Sequence, residues 1–301
     1  MRKILAFCLF LTLQSSIVNA QYTGSFSVQG SVNKFYPVIF TDGNWGNNRA
    51  TELEIGRSDI NLNEGWRGSL ISKFRFHDLV WGNGSGFADV EMQANNGYGG
   101  NLVPFIAGWK DASLSNSTQD FIIWLKGQTY YSYTSNVPQK PIVYDDVQKA
   151  LPYQEVNGPA YIYKESIDNY VNSRGKSTTG SLFTLDGGLN YMGGDLGLGT
   201  FDTKGYKLAV NGKVRAQEIL VETNNWPDYV FHNDYRMMNL PELESYIKEN
   251  KHLPDMPSAK KAEKEGIGLG EMNRLLLKKV EELTLHVIEL SKRLDQQNKN
   301  K

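Results

Sequence analysis

Cysteine is nearly absent from this chain: the single one, Cys8, lies inside an N-terminal apolar run. Once that run is removed as a leader no thiol remains, which excludes disulfides, zinc–thiolate sites and cysteine nucleophiles. Histidine is scarce too, and His77, His232, His252 and His286 are scattered without metal-ligand spacing. Long apolar runs are missing. Ile4 to Leu13 covers about ten residues, too short to span a bilayer, and nothing later in the chain could span one. Neither sign of charge dominates, since the formal net charge is −1. A near-neutral chain offers no basic field for nucleic acid. No Gly-x-Ser-x-Gly elbow is present, and the Gly-rich stretch 187–199 lacks the lysine and following helix of a phosphate loop. Asp89 and Glu91 share one face of a strand pattern. Nothing, however, selects two carboxyls roughly 5–9 Å apart across a cleft, as glycoside hydrolysis requires. The expectation is a non-enzymatic protein without a cofactor.

What is present begins with a targeting signature. Arg2 and Lys3, the apolar run and Val18-Asn19-Ala20 make a signal peptide over 1–20, so export to the extracellular space or cell surface, with the chain starting at Gln21, is expected. Residues 21–180 show short β-like runs punctuated by Gly and Asn. Phe35-Tyr36-Pro37-Val38-Ile39-Phe40 ends in the turn cluster Thr41-Asp42-Gly43-Asn44, and Phe121-Ile122-Ile123-Trp124-Leu125 is the most apolar run. Thr129–Tyr133 is expected to pair with it across Lys126-Gly127-Gln128. Runs of this length without helical period between them predict an antiparallel β-sandwich head, with the polar, Tyr-rich 148–180 as its last edge or a linker. Residues 181–222 change to a Gly-rich β stem, in which Asn211-Gly212 predicts a hairpin between Leu208-Ala209-Val210 and Val214. A hairpin that small cannot bury its apolar face alone.

Residues 223–266 predict a small helical assembly module. Asn239-Leu240-Pro241-Glu242 reads as a capping box with proline in the first turn, and Ser258 as the cap of a short helix that stops at Gly266. Over 267–298 the apolar positions alternate by four and three. Leu269, Leu276, Leu283 and Leu290 occupy heptad position d, and Asn273, Val280, Val287 and Leu294 occupy a. Such a helix is marginal alone, so a coiled coil with copies of the same chain is expected. Val at a with Leu at d permits dimers and trimers, whereas Leu277 at e widens the apolar face toward more than two strands. Asn273 is a candidate for fixing register, and His286, at g, is expected to be a solvated flank residue.

The run Gly197-Leu198-Gly199-Thr200 through Tyr206-Lys207-Leu208-Ala209-Val210-Asn211-Gly212-Lys213-Val214-Arg215-Ala216 resembles a segment of phage-tail-fibre-like proteins, many of them secreted by Bacteroidota. Trp226-Pro227-Asp228-Tyr229-Val230-Phe231, His252-Leu253-Pro254 and Leu269-Gly270-Glu271-Met272 fit the C-terminal region of those proteins. The resemblance covers about residues 195–298 and implies a trimeric, fibre-type stem ending in an assembly module. The related intramolecular chaperone of endosialidases cuts itself with a serine and a lysine. Asn233-Asp234-Tyr235-Arg236 falls where that module carries an acidic–basic signature, but Met237 stands at the lysine-like position and no serine stands at the expected start. Self-cleavage, or a glycan-active enzyme, is therefore the alternative reading, and a purely structural fibre is a third.

Candidate ligand contacts follow from the aromatic content. Sugar rings present an apolar C–H face that stacks on exposed aromatic rings. Trp45 and Trp81 lie beside Gly/Asn-rich turns where such a platform is reachable, whereas Trp124 belongs to the core. Asp42 and Asn44 are weak calcium candidates, since calcium needs six to eight converging oxygens and Asp-Gly-Asn is commonly a turn. The expected function is a secreted homotrimer whose head recognises a surface glycan or a cell-envelope partner.

Overall fold

The computed structural model describes residues 21–58, 68–80, 86–95, 104–115, 117–185 and 187–300. The signal-peptide reading of 1–20 and the candidate Trp81 lie outside them. The chain divides into two compact units, one up to Gly193 and one from Gly194 to Lys301.

The first unit is built on two antiparallel sheets. Strands β1 (Tyr22–Val28), β2 (Phe35–Thr41), β3 (Thr51–Arg57), β4 (Ser69–His77), β5 (Phe87–Asn95), β6 (Ile106–Asp111), β7 (Asp120–Lys126) and β8 (Thr129–Ser135) are followed by short β9 (Ile142–Val143), β10 (Tyr153–Gln154), β11 (Ala160–Tyr161) and β12 (Arg174–Ser177). One sheet runs β1-β8-β3-β4-β5-β12 and the other β6-β7-β2-β9. β4 shows how the larger sheet is made: Leu70, Ser72, Phe74 and Phe76 point inward, and Ile71, Lys73 and Arg75 point to solvent. Val38, Phe40, Ile123 and Leu125 of the smaller sheet join Leu53, Ile55, Phe74, Phe76 and Tyr131 of the larger one in a single buried cluster. The smaller sheet is also covered behind. Phe35, Ile39, Ile122 and Trp124 pack with Tyr153, Tyr144 and Tyr161, so β2 and β7 are buried on both faces and read as unbroken apolar runs.

The predicted pairing of 121–125 with 129–133 is corrected. β7 pairs with β2 and β6, whereas β8 pairs with β1 and β3 of the other sheet. Gly127 turns that corner against backbone: a Cβ there would lie 2.3 Å from Ser31 O and 2.7 Å from Gln29 O. The Tyr-rich 148–180 stretch supplies both the cover over Trp124 and the last edge strand, β12, on β5.

In the second unit β13 (Leu196–Leu198) pairs with β14 (Leu208–Val210) in parallel. This corrects the hairpin expected at Asn211-Gly212. The partner lies upstream, where Gly199, at φ 70, turns the chain, and Asn211 N–H donates to Leu198 O at 2.9 Å. An ion pair of Lys207 with Asp195 at 2.8 Å closes the loop between the two strands.

Three helices follow: α1 (Leu240–Asn250), α2 (Ala259–Glu265) and α3 (Leu269–Lys299). The Asn239 side chain accepts from Glu242 N–H, and the Ser258 side chain from Lys261 N–H, as capping chemistry dictates. A 3-10 helix, Pro227–Phe231, packs on α3. Lys278 of α3 lies 5.9 Å from the ring centroids of both Tyr229 and Tyr235 and donates to Asp255 at 2.9 Å. That hydrogen bond holds the Asp255 carboxyl below its ordinary range. Tyr235 donates to Glu282, and burial together with that carboxylate pushes its phenol up to about 12. Gly270 lies close under Val221: a Cβ there would sit 2.8 Å from Val221 Cγ1.

Candidate binding cleft and helix seam

The first unit carries a cleft of about 570 Å³, a size that suits a small-molecule ligand. Edge strand β6 supplies Trp109, Lys110 and Asp111; β7 supplies Phe121 and Trp124; Phe87, Tyr161, Lys164 and Tyr170 complete the principal walls. Trp109 meets Tyr170 edge-on at 4.9 Å and Phe74 at 5.7 Å, and Trp124 meets Tyr161 edge-on at 5.7 Å. Two ammonium groups rest over rings. Lys164 Nζ is 4.4 Å from the Trp124 centroid, and Lys110 Nζ is 4.8 Å from that of Tyr161.

One wall is a strap formed by residues 164–170. Lys164 exchanges backbone hydrogen bonds with Phe35 at 2.8 and 2.9 Å, and Asp168 N–H donates to Ala107 O at 2.8 Å. The Asp168 carboxylate accepts from Lys164 Nζ at 2.6 Å. The Tyr170 hydroxyl sits at the hub, 2.7 Å from Asp168 Oδ2, 2.9 Å from Trp109 O, and accepting Trp109 N–H at 3.3 Å. It plugs the free edge of β6 where a further strand would bind. Burial and the Asp168 contact push the Tyr170 phenol up, so it remains a donor at neutral pH. Gly108 admits the strap: a Cβ there would lie 2.1 Å from Asp168 Oδ2.

Behind the cleft lies a group of carboxylates that hold turns. Asp42 is fully buried and accepts from the Thr51 hydroxyl at 2.5 Å and from Asp78 N–H at 3.0 Å, and its Oδ2 lies 3.1 Å from His77 Nδ1. Asp111 accepts from Leu79 N–H at 2.7 Å and Ser113 N–H at 2.8 Å. Asp120 accepts from the Tyr153 hydroxyl at 2.9 Å. Burial first, then the charges of Asp111, Asp42 and Asp120, push Asp78 up to about 9. Its proton is thus retained by the folded protein and released by the unfolded chain between pH about 4 and about 9. Across that window rising pH favours unfolding. Asp78→Asn, which cannot ionise, is expected to flatten the pH dependence of the urea midpoint over this window, an outcome that denaturation series near its two ends will show.

The sequence-predicted contacts fall as follows. Trp45 lies in a 3-10 turn, half-buried and stacked on His77 at 6.5 Å; His77 lines the cleft and Trp45 does not. Trp124 is 4% exposed and in the core, yet it lines the cleft as well. The side chains of Asp42 and Asn44 are engaged by protein groups, Asn44 with Ala50 O and Asn47. Among the described residues no three His, Cys, Asp or Glu side chains converge as metal ligands. Asp89 and Glu91 make cross-strand pairs with Arg75 and Lys176. Trp109, Tyr161, Lys164 and Tyr170 were missed, because a short edge strand and an apparent linker carry no periodic signal. The alternation of Trp and Tyr with Lys was the only trace they left.

On α3 the heptad residues share one surface. Leu269, Leu276, Val280, Leu283, Val287, Leu290 and Leu294 are 43–61% exposed, and Asn273 is exposed beside them. The opposite face of the same helix is covered by its own chain, with Leu275, Glu281 and His286 buried. The solvated position expected for His286 is thereby corrected: it is 6% exposed, on the flank turned toward the chain's own packing. Among the described residues no helix is long and apolar enough to cross a membrane. Comparison of the chain with family models, with curated proteins and with solved structures finds no match.

Proposed function

We propose that the chain is an exported, fibre-like homotrimer that displays three binding heads on one stem. The observation that carries this reading is the contrast across α3, where seven apolar heptad side chains stay exposed while the opposite face is packed. A monomer would leave that whole stripe in water, and contiguous exposed apolar surface of this kind marks an interaction site. In this reading α3 forms a parallel three-stranded coiled coil, with Leu277 at e supporting three strands over two. The stem agrees: Leu182, Phe183, Leu185, Leu196, Leu198, Phe201, Tyr206 and Leu208 are all exposed within one short stretch. Neighbouring copies would cover them. The resemblance of 195–298 to phage-tail-fibre-like secreted proteins points to the same assembly.

The head, in this reading, is an antiparallel β-sandwich, supported by the single buried cluster that draws on both sheets. It binds a surface glycan in the aromatic cleft, where Trp109 and Tyr170 offer ring faces. Three heads convert weak single-site contacts into useful avidity. Screening the trimer on immobilised glycans tests this. Trp109→Ala is expected to abolish retention by a bound glycan while leaving the assembly state unchanged. Retention undiminished by Trp109→Ala would remove the cleft from the account and leave a purely structural fibre, or another face, to explain the heads.

A further inference from the structure

We infer that the cleft selects a sugar ring bearing a carboxylate, a uronic acid or a comparable acidic sugar, with Lys110 as the residue that reads the charge; this rests on the glycan reading of the cleft. The charged groups at the cleft are not equivalent. Asp111 accepts one backbone N–H at each carboxylate oxygen, from Leu79 and Ser113, and is thereby fixed to the turn that follows β6. Lys164 is neutralised by Asp168 at 2.6 Å. Lys110 is exposed and, among the described residues, no carboxylate lies in ion-pair contact with it. Its ammonium rests 4.8 Å above the Tyr161 ring, which steadies it and leaves its outward donors available.

A ligand that stacks on the aromatic wall therefore meets, in Lys110, a cation with no carboxylate in ion-pair contact among the described residues. A neutral ring gains only the stacking contact. A ring carrying a carboxylate adds a charge-assisted hydrogen bond, worth about tenfold in affinity. Lys110 would act on specificity and Trp109 on binding in general.

The test uses the trimer from Gln21 to Lys301 and a set of methyl hexosides with their matching methyl uronides, which differ only in a CH2OH or a carboxylate at C6. Titration by NMR at low ionic strength is expected to show the uronides binding about tenfold tighter for at least one stereoisomer. Lys110→Ala is expected to bring the ratio of uronide to hexoside affinity, read within each variant, to about one, Lys110→Arg to keep it, and added salt to reduce it. Equal affinity for both members of every pair, or a preference that survives Lys110→Ala, would overturn the inference while leaving the glycan reading intact. Failure of both classes to bind at millimolar concentration would overturn the inference and the glycan reading together.

Discussion

Replacing Leu276 and Leu283 by Asp in the same chain is expected to turn the proposed trimer into a monomer. Both residues occupy d and are about half exposed in the single chain. In a three-stranded bundle each layer brings three copies together. Truncating a buried leucine costs about 2–5 kcal/mol, and placing carboxylates side by side in the seam adds charge without a partner. Two layers of three such changes exceed what a seam of eight positions per helix can offset. The helix itself should survive, because Leu275, Val230 and Pro227, which the chain uses to pack on α3, are buried on the opposite side. Sedimentation velocity and circular dichroism separate these outcomes: a monomer with retained helicity is expected, and a persistent trimer would place the interface elsewhere. The glycan retention proposed for the heads is expected to be lost in the same variant without any change in its cleft, since avidity would disappear with the assembly.

Trp124→Ala is expected to lower the stability of the first unit by about 3–5 kcal/mol. The ring is almost wholly buried on the back of the smaller sheet, and its Nε1 donates to Ile162 O at 2.9 Å. Tyr161 packs edge-on against it and Lys164 rests over it, so the loss also loosens two walls of the cleft. Trp45→Ala, at a half-buried ring stacked on His77, is expected to cost about 1 kcal/mol. Urea denaturation followed by far-UV circular dichroism measures both. Equal midpoints for the two variants would mean that the 144–164 segment does not cover the smaller sheet as described.

The elements legible in the sequence are those whose burial is set locally. The 3.5-residue period of 269–294 marks a helix that begins at Leu269, and the side-chain caps at Asn239 and Ser258 mark the starts of the two before it. The alternation in β4 and the apolar runs of β2 and β7 mark strands. Which strands pair was not legible. The two residues between β7 and β8 suggested a hairpin, but Gly127 carries the chain from one sheet to the other, a choice made by distant backbone at Gln29 and Ser31. Asn211-Gly212 likewise carries a strong local turn signal, yet the available partner for β14 was upstream. The cleft was hidden for the same reason. Trp109 and Tyr170 are 61 residues apart and meet only because the Lys164–Tyr170 strap crosses the edge of β6. His286 was misplaced because a heptad position predicts burial by partner helices and says nothing of what the same chain lays along the flanks.

Native mass spectrometry of the chain from Gln21 to Lys301 tests the central claim most directly, since one spectrum reports both the assembly state and the covalent length. A single species of three full-length chains is the result the account predicts. Full-length monomers would contradict the seam as an interface between copies, and chains shortened near residues 200–240 would contradict the non-enzymatic reading and restore self-cleavage.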